Sequence, residues 1–309
     1  MTRPPFPLVW DNTMRSSFVE CPRRFSWEYM RHFKHTSPSI HLHAGKAWAG
    51  ALEEARLAFY KEGKSTSDAQ ALGLKELIRL YGSFEVPKRY ENKSLPRMME
   101  AFAYYFHAFP LETDPVQPFI GKNGPMVEFS FALPLDPDLL HPETGEPIIY
   151  SGRADMVATY AGALSIYDDK TTSALGASWA EQWDRRSQFS GYTWAARAYG
   201  IPVTQVVVRG IALLKTQINH AQALTTRTDH HIQEWHTQAV RDIKRAIACW
   251  KEGYWDVALN DSCTAFGGCL FKQPCTSPNP EPWLTGGNYA VRIWNPVTRE
   301  ESDSPQEGA

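Results

Sequence analysis

Residues 151–155 read Ser151-Gly152-Arg153-Ala154-Asp155, and residues 166–171 read Ile166-Tyr167-Asp168-Asp169-Lys170-Thr171. Between them lie two strand-like runs, 148–160 and 163–170, joined by Ala161-Gly162, a turn signal. If Tyr160 pairs with Ala163 across a two-residue loop, five steps along each strand bring Asp155 opposite Asp168. Directly opposed Cβ atoms lie about 4.5–5.5 Å apart, so the carboxylates repel unless a cation or a shared proton sits between them. Lys170 follows Asp168 by two and emerges on the same face. Two carboxylates for a hard divalent cation, with an ammonium alongside, form a phosphoryl-transfer arrangement. The alternative is an exposed edge hairpin carrying solvated charges. Met156, Val157, Leu164 and Ile166 make the strands too apolar to favour it.

Outward from the hairpin, the first third of the chain is mostly helical. After an extended lead-in over 1–12, Ser16-Ser17 is expected to cap a helix reaching Phe33. Further helices are expected from Gly45 to Lys61, near 68–81 and near 94–109. Residues 110–125, with four prolines and two glycines, read as loop. Met126–Leu135 alternates like a strand, 179–199 reads as one long helix closed by Gly200 and Pro202, and 203–214 reads as a buried strand. Residues 229–251 form another helix, and the tail after Cys263 reads as irregular, its last ten residues as disordered. Helices followed by strands with crossing helices imply an α/β core with a helical extension.

The hairpin and three other motifs resemble the PD-(D/E)XK nuclease superfamily, in its RecB-like branch. That branch includes CRISPR-associated RecB-like exonucleases with an iron–sulfur cluster. The Gly-(Arg/Lys)-x-Asp strand matches Gly152 to Asp155, and the Asp-x-Lys strand matches Asp168-Asp169-Lys170, followed by Thr171. The Gln-x-x-x-Tyr helix matches Gln188 to Tyr192, and Cys-Pro-x-x-(Phe/Tyr) matches Cys21 to Phe25. The resemblance implies a mixed central sheet flanked by helices in a restriction-endonuclease-like core. It covers residues 13–276: a helical part over 13–109, a catalytic core over 125–253 and a cysteine-rich clip over 254–280, all in a single nuclease domain over 1–309 with a disordered tail at 300–309. By the same resemblance, Asp155, Asp168 and the carbonyl of Asp169 would hold Mg²⁺ or Mn²⁺. Lys170 would orient the attacking water or stabilise phosphorane charge, and Gln188 and Tyr192 would line the site. The substrate would be DNA, as single strands or ends, with a helicase or recombination protein as a possible partner. One position departs from the pattern: Ala49 stands where the family carries a His four residues after Gly45. Glu128, on the strand before the hairpin, is the expected replacement ligand, the alternative being a surface charge. The competing functional reading is a catalytically weak DNA-binding accessory protein that keeps the fold.

Three cysteines, Cys263, Cys269 and Cys275, follow a Cys-x5-Cys-x5-Cys spacing. Zinc sites prefer shorter spacings, which disfavours zinc without excluding it. With Cys21 as a fourth ligand, the layout resembles nucleases of this branch that carry a 4Fe–4S cluster; four independent structural cysteines are the alternative. Cys249, between Ala248 and Trp250, reads as a buried thiol. Arg15, Arg23, Arg24, Arg31 and Lys34 could meet phosphates beside the cluster or form a solvated helix face, and Trp179 and Trp183 share a helical face that could stack on bases.

The composition fits this reading. Apolar residues make up 43%, and Lys+Arg 32 against Asp+Glu 34 leaves a net charge of −2, which excludes a histone-like basic protein. No run of 18 apolar residues occurs, and none follows Met1-Thr2-Arg3-Pro4-Pro5, so no membrane association is expected and a reducing cytosol is the expected compartment. No phosphate-binding Gly-x-x-x-x-Gly-Lys-(Ser/Thr) loop is present, so no ATP motor is attached.

Overall fold

The computed structural model describes residues 3–37, 39–264 and 268–303. From the N-terminus, β1 (Val9–Trp10) leads into α1 (Asn12–Glu20), α2 (Pro22–Phe25) and a π-helical turn at Ser26–Met30. β2 (Phe33–His35) precedes three helices, α3 (Ile40–Arg56), α4 (Thr66–Tyr81) and α5 (Leu95–Ala108). The short pieces β3 (Gln117–Pro118), β4 (Ile120–Gly121) and β5 (Gly124–Pro125) lead to β6 (Val127–Pro134), β7 (Ile149–Tyr160) and β8 (Ala163–Thr172). Next come α6 (Ala177–Glu181), α7 (Ser187–Ala198), β9 (Gln205–Leu213), β10 (Ile218–Thr226) and α8 (Asp229–Glu252). The chain finishes with α9 (Lys272–Thr276), α10 (Glu281–Leu284), β11 (Tyr289–Val291), β12 (Ile293–Asn295) and β13 (Glu300–Ser302).

Several boundaries differ from the sequence expectation, each for a local reason. The cap of α1 is Asp11, whose Oδ1 accepts the Met14 N–H at 2.8 Å, not Ser16-Ser17. The expected helix to Phe33 breaks at Cys21, which is extended (φ −162°, ψ 105°) as a residue before proline prefers. The expected helix over 179–199 is two helices, α6 and α7. The buried Arg227 guanidinium holds the turn between them, donating to the Trp183 carbonyl at 2.6 Å and the Ser190 hydroxyl at 3.2 Å. β10 had no counterpart in the sequence reading. Residues after Cys263 are not irregular throughout: β11 pairs with β2, and β12 with β13, which takes up Glu300–Ser302 of the expected disordered tail. The rest of that tail, 304–309, lies outside the described residues.

The chain divides into two compact units. One comprises Ser39–Ser130 and Arg153–Ile232. Its sheet is mixed: β10 runs antiparallel to β9, β9 parallel to β8, and β8 antiparallel to β7, with β3 and β6 also against β7. Val206, Val207, Val208, Ile211 and Leu213 of β9 are all buried, as a strand covered on both faces requires. Ile211 and Leu213 share a core with Trp48, Ala51, Leu52 and Ala55 of α3, Leu77 of α4 and Met98, Phe102 and Tyr105 of α5. α3 and α4 cross closely because Gly73 has no side chain. A Cβ there would fall 2.6 Å from the Ala51 carbonyl and 2.7 Å from Phe102. Gly210 of β9 likewise admits Trp179, which a Cβ would meet at 2.3 Å. Trp179 and Trp183 are therefore core, 5% and 6% exposed and packed edge to face on each other, and are not free to stack on bases.

The other unit comprises Met1–Pro38, Phe131–Gly152 and Gln233–Ala309. β1 runs parallel to the first residues of β7, Val9 beside Ile149. Trp10 stacks on Phe25 with ring centroids 4.9 Å apart. Arg15 is buried rather than part of a basic surface, its guanidinium held by Asp242 of α8 at 2.8 Å.

Candidate active site

The β7–β8 ladder runs from Tyr160↔Ala163 to Met156↔Tyr167, the register expected from the turn. Ala161 and Gly162 both have positive φ, 49° and 78°, as a two-residue hairpin loop requires. The ladder pairing stops one step before Asp155 and Asp168. There the Asp155 side chain enters the gap, and its Oδ2 accepts the main-chain N–H of Asp169 at 2.8 Å. The two aspartates are thus not a ladder pair; they flank the point where the strands part.

Asp168 is 2% exposed and forms an ion pair with Lys170. The Lys170 ammonium meets Asp168 at Oδ2. Burial, with the charge of Asp155, pushes the Asp168 carboxyl up to about 7 against the pull of Lys170. Asp155 is raised in the same direction, by burial and then by the charge of Asp169. Burial works against the Lys170 ammonium, but Asp168 and Asp155 outweigh it and keep that side chain more basic than usual. One buried and one half-buried acid, both held at raised pKa beside one cation, form a site short of positive charge.

α7 brings up Gln188 and Tyr192, which meet across one helical turn: the Gln188 amide donates to the Tyr192 hydroxyl at 2.8 Å. Tyr192 adds to the electrostatic surroundings of Lys170, and Phe189 between them lies 5.9 Å from the Lys170 ammonium.

Glu128 is 28% exposed in its side chain and sits at φ 60°, a left-handed conformation rare for a residue with a side chain. Its Oε1 accepts from Arg153 at 3.1 Å, and its carboxyl group hydrogen-bonds that of Glu53. Burial and this bond push Glu53 up to about 8. Arg153 also lies 3.9 Å from Glu53, and the charge of Asp155 reaches Glu53 as well. Glu53 was not singled out from the sequence. The signal was present: it follows Ala49 by four residues on the same face of α3.

Asp169 faces the other side of β8. Its Oδ2 takes Arg56 Nη2 at 2.5 Å, and its Oδ1 takes the hydroxyls of Tyr105 and Tyr167, each at 2.9 Å. Its side chain is therefore committed to the interior, and only its main chain faces the site. Sequence reading missed Arg56 too.

No group of three or more His, Cys, Asp or Glu side chains among the described residues is drawn together closely enough to hold a metal ion. The chemistry of the donors nevertheless suits a hard divalent cation: two carboxyl groups held at raised pKa, oxygen only.

A sequence model of the PD-(D/E)XK nuclease superfamily matches residues 14–276. The chain belongs to that superfamily. No curated protein sequence matches this PD-(D/E)XK nuclease chain. Among solved structures, it is similar to a protein of Eubacterium rectale named as an exonuclease, with 14% identity over 90% of this chain and 93% of that one, at a TM-score of 0.45. SSO0001 is similar at 11% identity over 76% and 84% of the chains, with a TM-score of 0.28. LHK-Exo, solved in complex with dAMP, is similar at 14% over 67% and 94%, with a TM-score of 0.26.

In this PD-(D/E)XK chain all five cysteines are free thiols of intermediate exposure, so Cys249 is half-buried rather than buried. Burial raises Cys269 and Cys275, and each also feels the charges of Cys21 and Cys263. Cys249 is raised by burial and by Asp256 and Glu252 instead. The basic residues around Cys21 are largely neutralised: Arg24 pairs with Glu20 and Glu28, Arg31 with Glu281, and Lys34 with Glu301. No helix among the described residues is long and apolar enough to cross a membrane.

Proposed function

We propose that this chain hydrolyses DNA phosphodiester bonds with a divalent cation, acting as an exonuclease on single strands or ends. The observation that carries the reading is the meeting of Asp155, Asp168 and Lys170 where β7 and β8 part. Asp155, Asp168 and the Asp169 carbonyl would hold Mg²⁺ or Mn²⁺, with Glu128 and Glu53 beside them. Such a cation supplies Lewis-acid polarisation of a phosphate oxygen and a more acidic bound water. With such a cation held there, Asp168 would be ionised, and the Lys170 ammonium would be free to face the reacting phosphate. Gln188 and Tyr192 hold each other and so keep Lys170 on its face of the strand. An end-acting role, with or without a helicase or recombination partner, is what the resemblance to the RecB-like exonucleases implies. End-labelled single- and double-stranded DNA incubated with Mg²⁺ or Mn²⁺ tests the proposal. Progressive shortening that stops in Asp155→Asn and Asp168→Asn supports it; equal cleavage by wild type and both variants overturns it.

The cysteines carry a second reading in the other unit. Cys269 and Cys275 each feel the charges of Cys21 and Cys263, whereas Cys249 feels those of Asp256 and Glu252 instead. Four thiols from the two ends of the chain suit a 4Fe–4S cluster that ties those ends together, a structural clip as in the RecB-like branch. Iron and acid-labile sulfide in protein purified without oxygen would support it, and stoichiometric zinc would replace it.

A further inference from the structure

Behind the site, on the face of β8 turned away from Lys170, lies a buried polar network in an apolar layer. Arg56 is 5% exposed, Tyr105 1% and Tyr167 0%. Arg56 Nη2 reaches Asp169 Oδ2 at 2.5 Å, the Tyr105 hydroxyl at 2.7 Å and the Tyr167 hydroxyl at 3.1 Å. The two tyrosine hydroxyls lie 2.8 Å apart and each is 2.9 Å from Asp169 Oδ1, so their two protons are shared among these contacts, at least one going to Asp169. Around them stand Met156, Val207, Ile211 and Leu213, among which an aliphatic residue at 169 would pack without any partner. Buried ion pairs gain little stability over apolar residues of similar volume, so stability alone does not account for this one.

What the network does reach is Asp155. Asp169 is gripped through its side chain from behind, and its main-chain N–H is the group that holds Asp155 Oδ2. The ladder has ended at Met156, so no β7–β8 ladder bond takes over this task. The orientation of one peptide unit therefore fixes both the Asp155 carboxylate and the direction of the Asp169 carbonyl. We infer that Arg56, with Tyr105 and Tyr167, is a positioning residue: by clamping Asp169 it sets the two oxygens, Asp155 Oδ2 and the Asp169 carbonyl, that receive the divalent cation. This rests on the nuclease reading above.

A second buried pair in the same layer provides a control. Arg209 stands beside Asp169 in the β8–β9 ladder, stacks over Phe109 at 3.9 Å and forms a two-pronged pair with Asp114. It secures the segment after α5 and, among the described residues, makes no hydrogen bond to Asp155 or to the main chain of Asp169.

The test is Mn²⁺ binding to the full chain, read by electron paramagnetic resonance, together with thermal melting. Arg56→Met strands a buried carboxylate and should lower both. In Arg56→Met/Asp169→Leu the charges leave together, so melting should recover. Mn²⁺ affinity should stay about ten- to a hundredfold down, the range for losing a group that orients a metal ligand. Tyr105→Phe, a mild change that keeps the fold, should weaken Mn²⁺ binding several-fold, and Arg56→Lys should restore part of the loss. Arg209→Met/Asp114→Leu should change melting alone. Wild-type Mn²⁺ affinity in both the double variant and Tyr105→Phe overturns the inference while leaving the nuclease reading intact. A wild-type chain that takes up no Mn²⁺ removes that reading, and the inference with it.

Discussion

Glu53 and Glu128 hydrogen-bond each other through their carboxyl groups, which obliges one of them to carry a proton. Glu53 carries it: burial and the Glu128 partner push it up to about 8, whereas the same bond, with Arg153, holds Glu128 low. Arg153 bridges the pair at 3.1 Å and 3.9 Å. Glu53 follows Ala49 by four residues on α3 and Glu128 stands on β6; we propose that the pair supplies oxygen donors in place of the histidine that the family resemblance leads one to expect at position 49.

Cation uptake at neutral pH should therefore release protons, because Glu53 holds one there and Asp168, raised to about 7, holds one in part. Calorimetry in two buffers of different ionisation heat measures the number released. Glu53→Gln should lower it by about one, and Glu128→Ala should weaken binding of Mg²⁺ and Mn²⁺ alike, since an all-oxygen set has no preference for the softer ion. Ala49→His should tilt preference toward Mn²⁺. Unchanged proton release in Glu53→Gln would take Glu53 out of the site.

The metal-free protein should lose stability as pH rises. Asp168 is raised to about 7 in the fold from an ordinary 3.8. Across that window the folded chain keeps a proton that the unfolded chain has shed, so stability falls with increasing pH. Asp155 acts in the same direction. Melting in chelator should show a decline from about pH 4 to about pH 7, flattened in Asp168→Asn, which should melt above wild type at the alkaline end. Stability that climbs through this window would contradict the buried, unneutralised state of Asp168.

Much of this was readable before the fold, and the exceptions have physical causes. The hairpin was legible because Ala161-Gly162 is a local turn signal and a period of two carries the register without error from Tyr160 toward Asp155. β9 was legible as a rich apolar run, Val206–Val208 and Ile211–Leu213 on either side of Arg209 and Gly210. β10 was not: as an edge strand it exposes Asn219, His220 and Gln222 and buries Ala223 and Thr225, which is weak alternation. Arg56 and Asp169 looked like ordinary charges, because their partner lies 113 residues away and no local pattern announces a long-range buried pair. Trp179 and Trp183 lay close together on a helical pattern, but only Gly210, 31 residues beyond Trp179, reveals the slot Trp179 fills.

Lys170 spends the metal-free state on Asp168. Lys170→Met should leave DNA affinity near wild type and lower the cleavage rate by roughly 10²-fold, the range for losing one charge-stabilising donor. It also removes the group that holds the Asp168 carboxyl down, so Mn²⁺ binding should need a higher pH. Single-turnover cleavage and Mn²⁺ titrations across pH separate the two effects. Loss of DNA binding in step with cleavage would make Lys170 a phosphate anchor only.

The four coupled cysteines make the sharpest contrast within one residue type. Cys21 stands at the break between α1 and α2, and Cys269 and Cys275 pack beside Trp27, Phe271 and Leu284. A cluster there would join the first helices to the segment that follows α8, so its loss should loosen that unit. Protein purified without oxygen should be brown, and Cys21→Ala, Cys263→Ala, Cys269→Ala and Cys275→Ala should each lose the colour and melt lower. Cys249→Ala should keep both, because that thiol answers to Asp256 and Glu252 and not to the other four. Iron content and melting temperature across the five variants check this. Colourless wild-type protein, or a Cys249→Ala that behaves like Cys21→Ala, would break the assignment of these four as one ligand set.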